Sequence, residues 1–530
     1  MCLLVIWLAA HAAGAGAGTC TSPAAVSAAT ESLNSSLLAV GWHVEEGTLQ
    51  FIPACKPPKK PSSQDPHPKV PYCWGSNPSS GAYGRLFFPS HLPLVAGKLL
   101  PAWQLRSNAS AIVLIGCTPP PARYFGIDTD LMISKPVSTP FGAPTMQFAS
   151  VGDALNHARL NTSATPGASR ERSAASPFQS RYGLVVSSDL ATANELAAKW
   201  LPAVGVPTAE TNKQHVPMPS LLPPQPGGMD SHGWGLGHSV FATYMRIAVC
   251  DDAQACEAYR NLTWRVLMVT PPSPHTVDPA PLVPYRNRTV GDPEGPKWGA
   301  SLDRLQAAIS QAEGETRSLA QSATLLPINN SGLECMRDGL NCLGFTHDAA
   351  YMDGNEPFYA VGRAAADDDA LSTVLAGALG GAARGPVRGR RSGAAPRVTP
   401  PGPSFSLAAG DLVIAFGVIH TRTGHATYTN AAIYDSVGAR GIAAIADDKL
   451  DGSAAAYGID APELYAYAFA RDCAGRKFCV EVPTEWPGCD AKCNLTLSER
   501  AYLHPKTLVG PDPLELSPPR FLRFTAKKAY

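Results

Sequence analysis

Apolar positions along this chain recur with the two periods that mark helices and strands. In "RYGLVVSSDLATANELAAKWLPAVGVP" (181–207) a β-branched run gives way to Leu190, Ala193, Ala197 and Trp200 at helical spacing, with Ser188 placed to cap the helix and Pro202 to stop it. "SLDRLQAAISQAEGETRSLA" (301–320) sets Leu302, Leu305, Ile309 and Ala312 along one helical face, and "AAVSAATESLNSSLLAV" (24–40) reads as a further helix before a short strand that ends at Cys55. "SAIVLIGCT" and "ARYFGIDTDLM" are strands on either side of "PPP", expected to form a hairpin or a short β-connection.

The last part of the chain alternates more regularly. "DLVIAFGVIH", the turn "TRTG" and the return run "HATYTNAAIYD" predict a hairpin, with Gly424 available for a positive φ. "ELYAYAFARDC" adds a strand with Tyr465, Tyr467 and Phe469 on one face, and "KFCVEVP" adds another. The expected fold class is therefore α+β and β-rich, with an α/β-like N-terminal unit and a mostly antiparallel C-terminal sheet stapled by disulfides.

Composition sets the boundaries between these parts. Fifty prolines in 530 residues are close to twice the usual share of about 5%, and they gather in "KPPKKPSSQDPHPKVP", "VPMPSLLPPQPGG" and "PPSPHTVDPAPLVP", which read as linkers and extended loops. The expected organisation is a signal peptide (1–18), an N-terminal segment with a Pro-rich linker (19–72), an α/β unit with Pro-rich loops (73–330), a disulfide loop and connecting segment (331–382), an Arg/Gly/Pro-rich insertion with little to bury (383–403), and an antiparallel β unit (404–530). Within the insertion, "RGRR" (388–391) has the R-x-x-R form cut by secretory proprotein convertases; the alternative is a low-complexity insertion.

Secretion is the second expectation. "MCLLVIWLAAHAAGAGAGTC" has an apolar run followed by small residues suited to signal peptidase, although no Lys or Arg precedes the run. Seven of the fifteen asparagines open an N-x-S/T sequon: Asn34, Asn108, Asn161, Asn261, Asn287, Asn329 and Asn494. Of thirteen cysteines, Cys2 falls in the leader and the remaining twelve suit a disulfide framework better than a zinc site, because paired C-x-x-C knuckles are lacking. Short spacings favour Cys250 with Cys256, Cys335 with Cys342, Cys473 with Cys479 and Cys489 with Cys493, leaving Cys20, Cys55, Cys73 and Cys117 to pair among themselves in one of three ways. Past the leader no run is long and apolar enough to span a bilayer. With 43 basic and 43 acidic residues, the chain has no electrostatic footprint for nucleic acid.

Three groups of residues can carry chemistry. If the predicted hairpin closes with a four-residue loop, His420 and His425 face each other across the strands and can offer two imidazoles to a transition metal, the one cofactor the sequence suggests. His347 and Asp348 follow the Cys335 to Cys342 loop, and Asp353 can return through Gly354 to orient the imidazole as a general base. In "GGMDSHGWGLGH" (227–238) glycines allow a ligand close to the backbone beside Asp230, His232 and His238. There is no G-x-S-x-G elbow, H-E-x-x-H helix, Walker loop or dinucleotide fingerprint. These residues point to an extracellular enzyme of hydrolytic or proton-transfer chemistry with a His-centred, metal-assisted site. The alternative is a non-catalytic secreted or cell-surface glycoprotein that binds a small-molecule or glycan-type ligand.

Overall fold

The computed structural model describes residues 20, 23–52, 83–88, 102–134, 145–150, 155–167, 176–216, 240–280, 287–328, 358–360, 405–435, 440–484, 494–512 and 514–527. The expected leader (1–18), the insertion with "RGRR", Asp230, His232, His238, Asn329, His347, Asp348, Asp353 and the pairs Cys335/Cys342 and Cys489/Cys493 lie outside them.

Helix α1 (Pro23–Ala39) buries Val26, Thr30, Leu33 and Leu37, a stripe spaced four, three and four apart. It ends in a Schellman motif: Gly41, at φ +87°, lets its own amide bond to the Leu38 carbonyl while the Trp42 amide reaches Leu37. Strands β1 (His43–Ile52), β2 (Tyr83–Phe87), β3 (Ala111–Cys117), β4 (Ala122–Ser134), β5 (Thr145–Ser150), β6 (Leu155–Asn156), β7 (Arg181–Ser187), β8 (Thr211–His215), β9 (Val240–Cys250) and β10 (Trp264–Thr270) make one sheet in the order β5-β4-β9-β2-β1-β10-β3-β7-β8, with β6 on β4. The sheet curls until its ends approach, since Thr129 on β4 donates to Gln214 on β8 at 2.6 Å. Leu49, Leu86, Ile127, Met245 and Val266 fill the inside.

The two runs flanking the triple proline are both strands, but they do not form a hairpin. β3 pairs with β10 and β7, while β4 pairs with β9, β5 and β6. Among the described residues, the α/β character expected of this unit is confined to β7, helix α2 (Leu190–Glu195, continued through a π turn to Ala203) and β8, the latter parallel to β7. The cap of α2 is Asp189, whose carboxylate accepts from the amides of Ala191 and Thr192; Ser188 instead donates to the Asn108 carbonyl. A short helix α3 (Ala253–Arg260) follows β9.

The second unit begins with α4 (Glu294–Gly314), which starts seven residues ahead of the predicted run. Ala312 is exposed and Glu313 takes the buried position beside it. Strands β11 (Arg317–Thr324), β12 (Leu326–Ile328), β13 (Phe358–Ala360), β14 (Leu412–Val418), β15 (Tyr428–Asp435), β16 (Arg440–Ala446), β17 (Leu464–Ala470), β18 (Cys479–Glu481), β19 (Leu495–Tyr502) and β20 (Arg520–Ala526) form two sheets, ordered β11-β20-β14-β17-β18 and β12-β13-β19-β15-β16. Pairing is antiparallel except β17 with β18. Alternation makes three layers: Leu302, Leu305 and Ile309 of α4 pack on Ile414, Phe416 and Phe524 of the first sheet, whose other face meets Ile433, Ile445 and Leu497 of the second.

The predicted 411–435 hairpin is corrected by this arrangement. β14 and β15 belong to different sheets, and the "TRTG" turn carries the chain from one to the other instead of folding it back. Both runs are apolar enough to be buried on two faces, so neither needed its sequence neighbour for cover.

Disulfides join Cys20 to Cys117, Cys250 to Cys256 and Cys473 to Cys479. The two short bridges are those favoured by spacing, and the long one selects among the three arrangements left open for the N-terminal four. No helix among the described residues is long and apolar enough to cross a membrane.

Candidate functional site

The turn that joins the two sheets carries the first charged centre. His420 is fully buried, with Nδ1 at 2.8 Å from Oε2 of Glu294 and Nε2 at 3.0 Å from Oε1 of Glu499. The three residues come from three layers: Glu294 from the first turn of α4, His420 from the end of β14, and Glu499 from the inner face of β19. Gly417 leaves room for the ring of Tyr465, since a Cβ there would lie 3.1 Å from it, and the Tyr465 hydroxyl donates to the second oxygen of Glu499. Glu294 also accepts from the Ser517 amide and the Thr423 hydroxyl.

Burial by itself favours a neutral imidazole, but the charges and hydrogen bonds of Glu294 and Glu499 outweigh it and raise the His420 pKa far above the usual range. Glu294 is held well below the usual carboxylate range: burial opposes this, and His420, with the Ser517 and Thr423 donors, overcomes it. The centre is an imidazolium clamped between carboxylates.

His425 does not face His420 across a hairpin. Its Nε2–H donates to the Asp292 carbonyl at 2.7 Å, and its Nδ1 lies 3.3 Å from Oε1 of Glu294. The two histidines thus converge on one carboxylate, while both nitrogens of His420 are already hydrogen-bonded. Among the described residues no group of three or more His, Cys, Asp or Glu side chains is arranged to hold a metal ion. His504 stands edge-on to His425 at 5.7 Å, with its pKa lowered by burial and then by His425 and Lys506. Glu515 secures the approach to α4, accepting from the amides of Val290, Gly291 and Asp292.

A second histidine contact lies in the first unit. Asp189, buried at the cap of α2, accepts from the Asp278 amide and sits 2.7 Å from Nε2 of His275. It fastens the 271–280 loop across the end of the sheet.

The third feature is polar and lies where the units meet. On the outer face of the first sheet, register places Tyr124, Asp128 and Asp130 of β4 beside Arg246 and Tyr244 of β9 and Tyr83 and Arg85 of β2. All are buried; the Arg85 guanidinium lies 4.9 Å over the Tyr244 ring and that of Arg246 lies 5.5 Å over Tyr83. Tyr124 packs against Tyr502 at 4.8 Å, Asn156 donates to the Leu508 carbonyl, and Arg123 pairs with Asp447 at 2.9 Å. From the Tyr428–Tyr502 row at that contact, the outer face of β15 and β19 continues through Asn430 opposite Arg500 and Ala432 opposite Ser498 to Tyr434 opposite Thr496. Asn430 and Ser498 are wholly buried, yet neither carboxamide atom of Asn430 nor the hydroxyl of Ser498 has a hydrogen-bond partner.

Neither the protein-family models nor the curated proteins contain a match to this chain. Among solved structures, the VPA0106 protein from Vibrio parahaemolyticus aligns over 80% of this chain and 88% of its own, with 11% identity and a TM-score of 0.31. That likeness is too slight to carry fold or function.

The residues that sequence reasoning missed are therefore Glu294, Glu499, Asn430 and Ser498. Asn430 interrupts the apolar run "YTNAAIYD" and Ser498 and Glu499 interrupt "LTLSERAY", so polar residues inside strands buried on both faces were the available signal.

Proposed function

We propose that this protein is a secreted, disulfide-bonded glycoprotein that binds a small polar ligand at the junction of its two β-rich units. The observation that carries the reading is the sealed, unpartnered pair Asn430 and Ser498. A buried donor or acceptor left unpaired costs about 1–3 kcal/mol, and three such atoms on one small patch favour a site that recovers the cost when a ligand or ordered water supplies the partners. His420 does not suit a general base, being inaccessible, held protonated and hydrogen-bonded through both nitrogens. The reading follows the non-catalytic alternative; His347, Asp348 and Asp353 lie outside the described residues.

The test is native mass spectrometry of the secreted protein, read against the mass of the denatured chain. A discrete small adduct that is present in the wild type and lost in Asn430→Leu is expected; equal masses for both proteins, with no binding by any small polar compound tested, would overturn the reading.

Secretion also predicts where glycans sit. Asn261, Asn287 and Asn494 are exposed, whereas Asn108 and Asn161 are half-buried and the Asn34 amide donates to Glu46 at 2.7 Å. Peptide mapping after enzymatic deglycosylation should show the highest occupancy at the three exposed sites. Absence of glycan from all three in a secreted preparation would remove the glycoprotein reading.

A further inference from the structure

We infer that the contact between the two units is an acid-released latch: protonation of His157 on one side and His504 on the other breaks hydrogen bonds that shape it and lets two folded units part. Among the described residues the contact joins Tyr124 to Tyr502 and Leu503, the Asn156 carboxamide to the Leu508 carbonyl at 2.9 Å, and Arg123 to Asp447 at 2.9 Å. Leu508 sits in the 503–509 loop. Both Leu503 and Leu508 are left-handed there, at φ +51° and +58°, a region that residues other than glycine occupy at a cost. Bonds within the loop hold it in this shape: the Leu508 amide donates to the His504 carbonyl at 2.8 Å, the His504 amide to the Val509 carbonyl at 2.7 Å, and the Lys506 amide to Nδ1 of His504 at 3.1 Å. The first unit repeats the device. His157 follows Asn156, and its Nδ1 accepts from the Phe125 amide at 3.3 Å, while its ring is stacked on Phe178 at 5.5 Å and edge-on to Tyr124 at 6.1 Å.

Both histidines therefore use Nδ1 as an acceptor, which only a neutral imidazole with its proton on Nε2 can do. An imidazolium donates from both nitrogens, so a proton taken up at either ring sets N–H against N–H. Their surroundings keep both rings neutral. Burial pushes His157 down to about 4 against a weaker opposing effect of the Phe125 backbone. Burial, then His425 and Lys506, lower His504, with Glu515 opposing. Opening the contact returns each ring to water, where a histidine titrates near about 6.5. The open form then binds protons that the closed form refuses, so the closed form is fully favoured above about 6.5 and loses ground as pH falls toward about 4. Arg123 and Asp447 act in the same direction, because their attraction ends when Asp447 is protonated. Burial raises that carboxyl above its ordinary range, Thr421 and Arg123 oppose the rise, and Asp448 adds to it. The His420 centre survives this range: its imidazolium is complete below about 6.5, and Glu294 loses its share only as pH falls toward about 2.

Hydrogen exchange of the full secreted chain at pH 7.5 and pH 5, read by mass spectrometry and corrected for the intrinsic effect of pH, is the test. A full return of His157 from about 4 to about 6.5 raises the open-to-closed ratio roughly 30-fold between the two conditions. Expected is a loss of protection of that order in peptides covering 122–126, 155–160 and 503–509, with β14 and β17 unchanged and protection recovered on return to pH 7.5. His157→Gln/His504→Gln keeps an acceptor oxygen at each position and takes up no proton, so its contact peptides should stay protected at pH 5. Arg123→Gln, at a partly exposed side chain, should instead bring the loss of protection to a higher pH. Unchanged contact peptides in the wild type at pH 5, or a loss shared equally by β14 and β17, would overturn the latch. A loss of wild-type size in the double variant would overturn the assignment to these histidines. Should the double variant be loosened already at pH 7.5, Arg123→Gln decides, and an opening pH that does not move overturns the location.

Discussion

Glu294→Ala is expected to lower the unfolding free energy by on the order of 3–5 kcal/mol, because it leaves His420 buried without its main counter-charge. The loss should exceed that of any single surface ion pair, such as exposed Arg422 with Asp451, which solvent screens. Replacing the group together, as Glu294→Met/His420→Phe/Glu499→Met, should restore much of the loss, since three apolar side chains leave no charge stranded. Denaturant melts at pH 6 measure both, and a Glu294→Ala protein as stable as wild type would show that the centre contributes nothing.

The same centre sets a pH window. The folded-state pKa of His420 is raised, so its contribution is complete below the ordinary imidazole value of about 6.5 and is lost as pH climbs toward about 10. Glu294 has the opposite sign: its contribution is complete above about 4.5 and is lost as pH falls toward about 2. Stability should therefore be greatest from mildly acidic to neutral pH and decline on the alkaline side, and His420→Phe should flatten that alkaline decline.

Removing the long disulfide, as Cys20→Ser/Cys117→Ser, is the second large effect. It closes a loop of 97 residues, for which the chain-entropy estimate is about 4.7 kcal/mol, against about 2 kcal/mol for the six-residue loop of Cys250 and Cys256. The long bridge ties the start of α1 to the last residue of β3, so its loss frees both the helix and the strand it covers. Chemical denaturation of the two double variants should rank them in this order; an equal or reversed ranking would mean that local geometry, and not loop length, governs the bridges.

How much of this was legible in the sequence divides by range. The strands at 111–117, 412–418 and 464–470 are apolar runs visible without any partner, and the short cysteine pairs are fixed by spacing. Pairing was not visible. "TRTG" between two strand-length runs reads as a hairpin, because local sequence says where a chain turns and not which sheet it enters next. The same limit hid the histidine centre. His420 was conspicuous beside His425, but Glu294 and Glu499 lie 126 and 79 residues away, and nothing local announces a carboxylate that arrives from another layer. Glu294 reads alone as an ordinary acidic residue in a first helical turn.

The connection between the sheets also decides when each unit can be finished during synthesis. The first unit's last strand ends at Thr270, so its curled sheet can close while nearly half of the chain is still unmade. The second unit opens with α4 and β11, and among the described residues β11 pairs only with β20, about 200 residues later. Until the final strand emerges, β11 presents an open edge and the apolar face of α4 lacks Leu522 and Phe524. The second unit therefore cannot be completed before β20 is made, and a truncation that removes β20 should leave the first unit native and the second unfinished.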